Sequence, residues 1–287
     1  MRLHWGWIEP VMPVPYVPTL GPARWDDPLH ELLEAVVDSA GTGRFLPHDK
    51  DRRWAETKAE RVLVDAIEHG QAQTFVPTLA ERGRGVVKVH VYGAPDSLSA
   101  GADLARKLAP AHGAAKARIV WFLGPDQPDA YAQGTRVQLK DFTAGPGDAP
   151  GVPVQEYKEL PEDAGFQAFA MAMAEDGFAF LYGQMQAGTV GPVLTVLHDG
   201  LVAGAIGPME TMNDARGYAR LLPQYFGVLP RHRGRGYGRA LWRAAMHWGH
   251  QHGAAYQLLQ TEVGGASDRL CRAEGLASLG FVNQADV

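Results

Sequence analysis

Residues 228–239 read Val228-Leu229-Pro230-Arg231-His232-Arg233-Gly234-Arg235-Gly236-Tyr237-Gly238-Arg239. The apolar run 221–228 that leads into them predicts a strand. Pro230 ends it, because proline has no amide donor and a fixed φ. Beyond the glycines, Leu241, Ala244, Ala245 and Trp248 recur at spacings of three and four, which predicts a helix over 239–252 that Gly253 stops. Gly234, Gly236 and Gly238 therefore fall in a strand-to-helix turn. Glycine there allows positive φ and close backbone approach, so successive amides can point into one concavity at the positive end of a helix, a seat for an anion.

The charges agree with an anionic ligand. Arg231, Arg233, Arg235, Arg239 and Arg243 fall in a stretch without any acid, although the chain as a whole has a formal net charge of −5. The planar guanidinium fork matches phosphate oxygens with paired charge-assisted hydrogen bonds, so a pyrophosphate-bearing ligand is the sharp reading. A solvated basic turn and a nucleic-acid patch are the alternatives. Two common phosphate motifs fail on register. The dinucleotide fingerprint needs a glycine three residues after Gly236, where Arg239 stands, and a P-loop needs a Gly-Lys-Ser/Thr that is absent here.

The segment Arg233-Gly234-Arg235-Gly236-Tyr237-Gly238 resembles the acetyl-CoA signature of the GNAT (Gcn5-related N-acetyltransferase) family, Arg/Gln-x-x-Gly-x-Gly/Ala. Val228-x-Pro230 before it and Arg239-Ala240-Leu241 after it extend the likeness. The resemblance implies an α/β GNAT fold, a mixed and mostly antiparallel sheet with flanking helices. It also implies acetyl-CoA or another acyl-CoA as co-substrate. Phe226, Gly227 and Val228 would then line the pantetheine arm, and Arg233, Gly234, Arg235, Gly236, Tyr237, Gly238 and Arg239 the pyrophosphate. Ser267 is a further candidate on the donor side.

The surroundings fit the same order of elements. Runs 192–198 and 201–206 flank Asp199-Gly200, a strong hairpin signal. Residues 256–263 predict a strand, 267–279 a helix, and Gly280-Phe281-Val282 the last strand. Upstream, 161–174 predicts a helix starting at Pro161, and the aromatic-rich 178–186 a second one. The likeness covers residues 154–287.

That leaves an excess at the amino-terminal side, since one such domain needs about 140 residues. Residues 143–153, six of them glycine or proline, predict a linker between a first domain, 1–142, and a catalytic domain, 154–287. In the first half a strand at 86–92, a loop at 93–100, a helix at 102–109 and a strand at 118–122 mirror the second half. His112-Gly113-Ala114-Ala115 echoes His252-Gly253-Ala254-Ala255 at the same structural place. A tandem duplication follows, in which the first copy has lost its phosphate chemistry: its loop has no arginine and carries Asp96.

Composition sets bounds. Hydrophobic residues make up 46% and charged residues 21%, as in ordinary globular proteins. Residues 1–7 start no long apolar stretch, and Pro10, Pro13, Pro15 and Pro18 interrupt any helix, so neither a membrane span nor a leader is expected and a cytoplasmic location is. The single cysteine, Cys271, agrees with a reducing compartment. Arginine outnumbers lysine 20 to 7, a bias that looks bacterial. His247, His250 and His252 cluster on a predicted helix, but without nearby carboxylate or thiolate they read as helix-end cations, and no metal is expected.

The resemblance supplies the reaction: acyl-CoA and a small-molecule amine bind together, and the amine attacks the thioester carbonyl directly. The ammonium must first lose a proton and the developing oxyanion needs a donor. An amide near Val228 is the expected donor, and Glu262 and Glu210 are the candidate bases, acting directly or through water. Many family members carry a tyrosine five residues before the terminal phenylalanine, to protonate the departing thiolate; here that position is Leu276. Tyr237, Ser267 or water would then take the role. Two other readings stay open: transfer from the phosphopantetheine arm of an acyl carrier protein, and a non-catalytic coenzyme A sensor or nucleic-acid-binding module. Monomer and homodimer are both compatible with the sequence. Phe178, Phe180 and Tyr182 lie where the family forms its acceptor wall.

Overall fold

The computed structural model describes residues 16–17, 21–22 and 60–287, apart from 70–72, 82, 94–95, 124–133 and 214–216. The reading of residues 1–7 and of the prolines at 10, 13, 15 and 18 lies outside these. A short ladder pairs β1 (Tyr16–Val17) with β2 (Gly21–Pro22). The remaining strands are β3 (Glu60–Val62), β4 (Glu68–His69), β5 (Gln73–Ala80), β6 (Val86–Gly93), β7 (Lys116–Leu123), β8 (Thr135–Asp141) and β9 (Gln155–Glu156). They continue with β10 (Leu194–His198), β11 (Leu201–Gly207), β12 (Thr211–Asn213), β13 (Ala219–Leu221), β14 (Tyr225–Val228), β15 (Tyr256–Glu262) and β16 (Ala277–Asp286). Among the described residues five α-helices accompany them: α1 (Ser97–Ala111), α2 (Phe166–Ala172), α3 (Phe178–Gln186), α4 (Tyr237–Gln251) and α5 (Ala266–Ala273).

Contacts divide the chain into two compact units. One takes the chain up to 139 together with 258–287; the other takes 140–213 and 217–257. The first change of unit falls just before the 143–153 segment. The last thirty residues, however, group with the described residues of the first half of the sequence.

In the first unit the strand order is β15–β8–β16–β7–β6–β5–β3. β16 pairs antiparallel with both β7 and β8, and β6 pairs parallel with β7. The period-two alternation of β6 explains the packing: Val87, Val89 and Val91 are buried with Phe75, Ala105 and Ile119 under α1. The opposite face carries Lys88 and His90. Lys88 Nζ lies 3.0 Å from a Glu60 carboxylate oxygen, Thr78 Oγ1 donates to Glu60 at 2.9 Å, and His90 Nδ1 sits 3.1 Å from the Val76 carbonyl.

In the second unit β14–β11–β10–β9 form an antiparallel sheet, and β13 runs parallel to the start of β15. The expected hairpin is present: Asp199 and Gly200 both have positive φ (50° and 80°), and His198 pairs with Leu201. Phe166, Phe169, Phe178 and Leu181 pack with Val193, Val202 and Ala205. The architecture is thus mixed α/β with mostly antiparallel sheets and flanking helices, as expected.

Four boundaries differ from the sequence reading, the first being that α1 already starts at Ser97, inside the loop expected at 93–100. The strand expected at 221–228 is two strands, because Pro223 cannot donate to a ladder and the chain changes partner there, from β15 to β11. The helix expected at 267–279 stops at Ala273, where Gly275 at φ 78° turns the chain into β16. The helix expected from Pro161 becomes a 3₁₀ turn at Glu162–Ala164, and α2 starts only after left-handed Gly165.

One helix-and-strand pair recurs in the two halves at a fixed spacing. α1 and α4 have the same length, and their starts, their ends and the first residues of β7 and β15 are all displaced by the same 140 residues. The helix ends are alike bond by bond. His112 N–H reaches the Leu108 carbonyl at 3.1 Å and Ala114 N–H the Ala109 carbonyl at 2.9 Å; His252 reaches Trp248 at 3.0 Å and Ala254 reaches Gly249 at 2.9 Å. Gly113 and Gly253 both take the left-handed conformation that this cap requires.

Candidate functional site

β14 is hydrogen-bonded on one side only, to β11, and no strand among the described residues covers its other edge. The break at Leu222-Pro223-Gln224 produces that edge. It is pinned by an amide pair: Gln257 Nε2 donates to Gln224 Oε1 at 2.9 Å and to the Leu222 carbonyl at 3.3 Å. Side chains alternate along β14. Phe226 and Val228 lie toward α4, where Gly238 leaves room for them, while Tyr225 and Gly227 face the α2–α3 connection.

After β14 the chain makes a 3₁₀ turn, Pro230–His232, and Arg233 Nε donates back to the Val228 carbonyl at 3.2 Å. Gly234 and Gly236 have φ of 77° and 84°, and a Cβ on either would point into open space. Gly236 precedes α4 directly and no side chain caps that helix. The first intrahelical bond runs from Ala240 N–H to the Gly236 carbonyl at 3.0 Å, so the amides of the first turn, Tyr237 and Gly238, point out of the helix start. A glycine-walled helix start beside exposed Arg233, Arg235 and Arg239 is a fit for a pyrophosphate.

The arginines are not equivalent. Arg243 is committed to structure, with an ion pair to Asp148 at 2.8 Å and a bond to the Ala149 carbonyl at 3.4 Å. Arg231 Nε donates to His232 Nε2 at 3.2 Å. Burial, then neighbouring His198, Arg231 and Arg235, hold the His232 imidazole below its ordinary pKa, against the smaller opposite pull of Asp199. Tyr237 turns its hydroxyl to His198 Nδ1 at 2.9 Å, and the His198 and His232 rings lie 4.6 Å apart. The phenol is thereby held at the turn end of the β10–β11 hairpin, which makes it a brace for the loop.

The two candidate bases separate. Glu210 is half-buried in the unit that holds the loop, and its Oε1 accepts the Gly191 N–H at 2.8 Å. Glu262 is exposed at the end of β15, and Ser267 is half-buried in α5; both belong to the other unit. Leu276 is buried and offers no proton. Burial and the neighbouring Asp268 carboxylate push the Cys271 thiol up to about 12, which leaves it without thiolate character. His252 stacks on Trp248 at 3.8 Å and bonds its carbonyl at 2.8 Å, while His247 bonds the Asp148 carbonyl at 3.1 Å. Among the described residues no group of three His, Cys, Asp or Glu is placed to share an ion.

The three aromatic residues expected along the acceptor wall have different places. Phe178 is fully buried, and Tyr182 faces Phe166, their rings 5.9 Å apart. Phe180 is 40% exposed and lies 6.5 Å from the Tyr225 ring.

Sequence reasoning missed Asp268. Its carboxylate, fully buried, takes Arg136 Nε at 2.8 Å and the Gly264 N–H at 3.0 Å, with Thr261 Oγ1 and Gln138 Nε2 both at 3.3 Å. No local pattern announces a partner 132 residues away.

Residues 157–273 match the model of the acetyltransferase (GNAT) family. Among solved structures, a GNAT-family acetyltransferase from Colwellia psychrerythraea aligns with TM-score 0.50 at 14% identity, over 90% of this chain and 95% of that one. A GCN5-related N-acetyltransferase from Sphaerobacter thermophilus gives 0.49 at 16% identity, over 82% and 84%. A tandem GNAT protein of the clavulanic acid biosynthesis pathway gives 0.47 at 16%, over 87% of each chain. No curated protein matches. At 14% identity the Colwellia psychrerythraea likeness speaks to fold alone. No helix among the described residues is long and apolar enough to cross a membrane.

Proposed function

We propose that this chain, whose residues 157–273 are a GNAT acetyltransferase domain, is an N-acyltransferase that moves an acetyl or other acyl group from coenzyme A to the amine of a small molecule. The observation that carries the reading is the junction of β14 and α4: a strand with a free edge runs into two left-handed glycines and an uncapped helix start flanked by exposed arginines. The strand edge from Phe226 to Val228 would hold the pantetheine arm by backbone pairing, and the loop from Arg233 to Arg239 the pyrophosphate. A carrier-protein arm lacks the pyrophosphate for which this cradle is shaped, so coenzyme A is the favoured donor.

Bound acyl-CoA supplies the activated carbonyl. The chain's own contribution is to hold donor and amine together, to offer a β14 backbone amide to the carbonyl oxygen, and to accept the ammonium proton. For that base we assign Glu210, the half-buried carboxylate in the same unit as the donor strand, with Glu262 as the other candidate. Each would act through water. Tyr237 and His198 brace the loop, and water protonates the departing thiolate.

We further propose that residues 154–287 carry this chemistry, and that 1–142 is a second copy of the fold without a phosphate loop. The shared 140-residue displacement of helix and strand supports the duplication. At the equivalent helix start the first copy has Asp96, whose charge opposes a phosphate.

Calorimetric titration with coenzyme A and acetyl-CoA tests the reading. The wild type is expected to bind both, and Arg235→Ala to weaken binding about 10- to 100-fold, the scale of one charge-assisted hydrogen bond. Wild-type protein that binds neither ligand would sink the proposal.

A further inference from the structure

The corner between α3 and β14 carries chemistry that the donor site does not use. Two reciprocal contacts build it. The Tyr225 ring, on β14, lies directly over Gly177 at the start of α3; a Cβ there would come within 2.4 Å of it. The Phe178 ring, on α3, lies in turn over Gly227 of β14, where a Cβ would come within 2.9 Å. Each element thus seats an aromatic ring on the other's glycine. The Tyr225 ring ends up between buried Phe178 at 6.4 Å and exposed Phe180 at 6.5 Å.

The rings sit in uncharged stretches of chain, although exposed Glu175 and Asp176 come just before Gly177. Residues 177–197 and 221–230 contain no Asp, Glu, Lys or Arg. Two polar groups of the β14 stretch are neutral: the Tyr225 hydroxyl, kept protonated because burial raises its pKa, and the Gln224 side chain. A surface of this kind can hold a flat apolar body by ring contact and one or two neutral hydrogen bonds. The rings themselves offer no charge by which to recognise a polycation or a phosphate ester.

Its place along β14 assigns the role, and this step rests on the acyl-CoA reading. The phosphate loop follows Val228, so Tyr225 marks the far end of the free edge, about 10 Å away along the strand. A donor laid along that edge from the loop brings its acyl end toward the ring corner. We propose that Phe180 and Tyr225 select the acceptor, and that the acceptor is a primary amine on an uncharged aromatic body, an arylalkylamine, as opposed to a polyamine, an aminoglycoside or a sugar phosphate.

The test combines donor binding with an acceptor panel. Acetyl-CoA affinity is measured first by calorimetry. Thiol release is then followed with 2-phenylethylamine, tyramine and tryptamine, and with spermidine, kanamycin and glucosamine 6-phosphate. Saturation-transfer NMR reports binding of each amine to the coenzyme A complex. Arylalkylamines are expected to bind and to be acetylated with the lowest KM. Phe180→Ala is expected to raise that KM at least 10-fold while leaving acetyl-CoA affinity within 2-fold, and Tyr225→Phe, which keeps the ring, to raise it less. Acetylation of the polycations or the sugar phosphate in preference to the arylalkylamines overturns the inference and leaves the acyltransferase reading standing. So does a complex that binds acetyl-CoA but shows no transfer signal for any arylalkylamine. Loss of acetyl-CoA binding itself would instead remove the reading on which it rests.

Discussion

At the scale of single residues, His90 is the group whose titration has consequences for the fold. Burial pushes its imidazole down to about 4 from an ordinary 6.5. Glu60 and the Val76 carbonyl pull the other way, and Lys88 adds to the depression. The folded protein therefore holds His90 neutral where the unfolded chain would bind a proton. The stability it contributes is complete above pH 6.5 and is lost as the pH falls toward 4, by at most about 3 kcal/mol over that window. Urea midpoints at pH 7.5, 6 and 5 should fall in that order, and His90→Gln should flatten the trend; equal slopes in the two proteins would count against it. Among individual residues, those of the donor loop were legible in the sequence because their chemistry is local: glycines that need positive φ, a proline that stops a strand, and arginines next to both. Glu210 was legible as an acid, but its hold on Gly191, nineteen positions away, was not.

Elements were readable to the extent that periodicity and punctuation agree. α4, β10, β11 and β15 lie close to where alternation, helical spacing and Asp199-Gly200 placed them. Where reading failed, one residue had overruled the pattern. Pro223 split a continuous apolar run into strands of two sheets, and Gly275 ended a helix whose apolar spacing continued to 279. α5 depends on a contact that sequence cannot show. Its Asp268 carboxylate is inaccessible to water and is held by Arg136, itself 11% exposed, and by the Gly264 amide at the turn into the helix. Asp268→Asn leaves a buried guanidinium without its counter-charge and is expected to cost about 3–5 kcal/mol, read as a lower urea midpoint. Asp268→Glu should recover little, since the longer side chain has no room. A change below 1 kcal/mol would show that water reaches Arg136 after all.

For the whole molecule, the linker at 143–153 is a poor guide to what folds together. β16 pairs on one side with β7 and on the other with β8, so the end of the described chain is inserted between two strands of the first half. Nothing in the apolar run around Phe281 says which neighbours it will take, because pairing partners are a property of topology and not of pattern. A fragment of residues 143–287 therefore loses both partners of β16 and one partner of β15. It is expected to aggregate or to lack a cooperative melt, as judged by size-exclusion chromatography and differential scanning calorimetry. A soluble, cooperatively melting fragment that still binds coenzyme A would show that the second copy stands alone. The reciprocal seating of Tyr225 on Gly177 and Phe178 on Gly227 has a consequence of a mechanical kind. The ring corner cannot widen without lifting an aromatic from each glycine at once, so the room beside β14 is set by a rigid frame and not by a hinge. A bulkier guest must be admitted at the Phe180 rim, the side of the frame that is open to water.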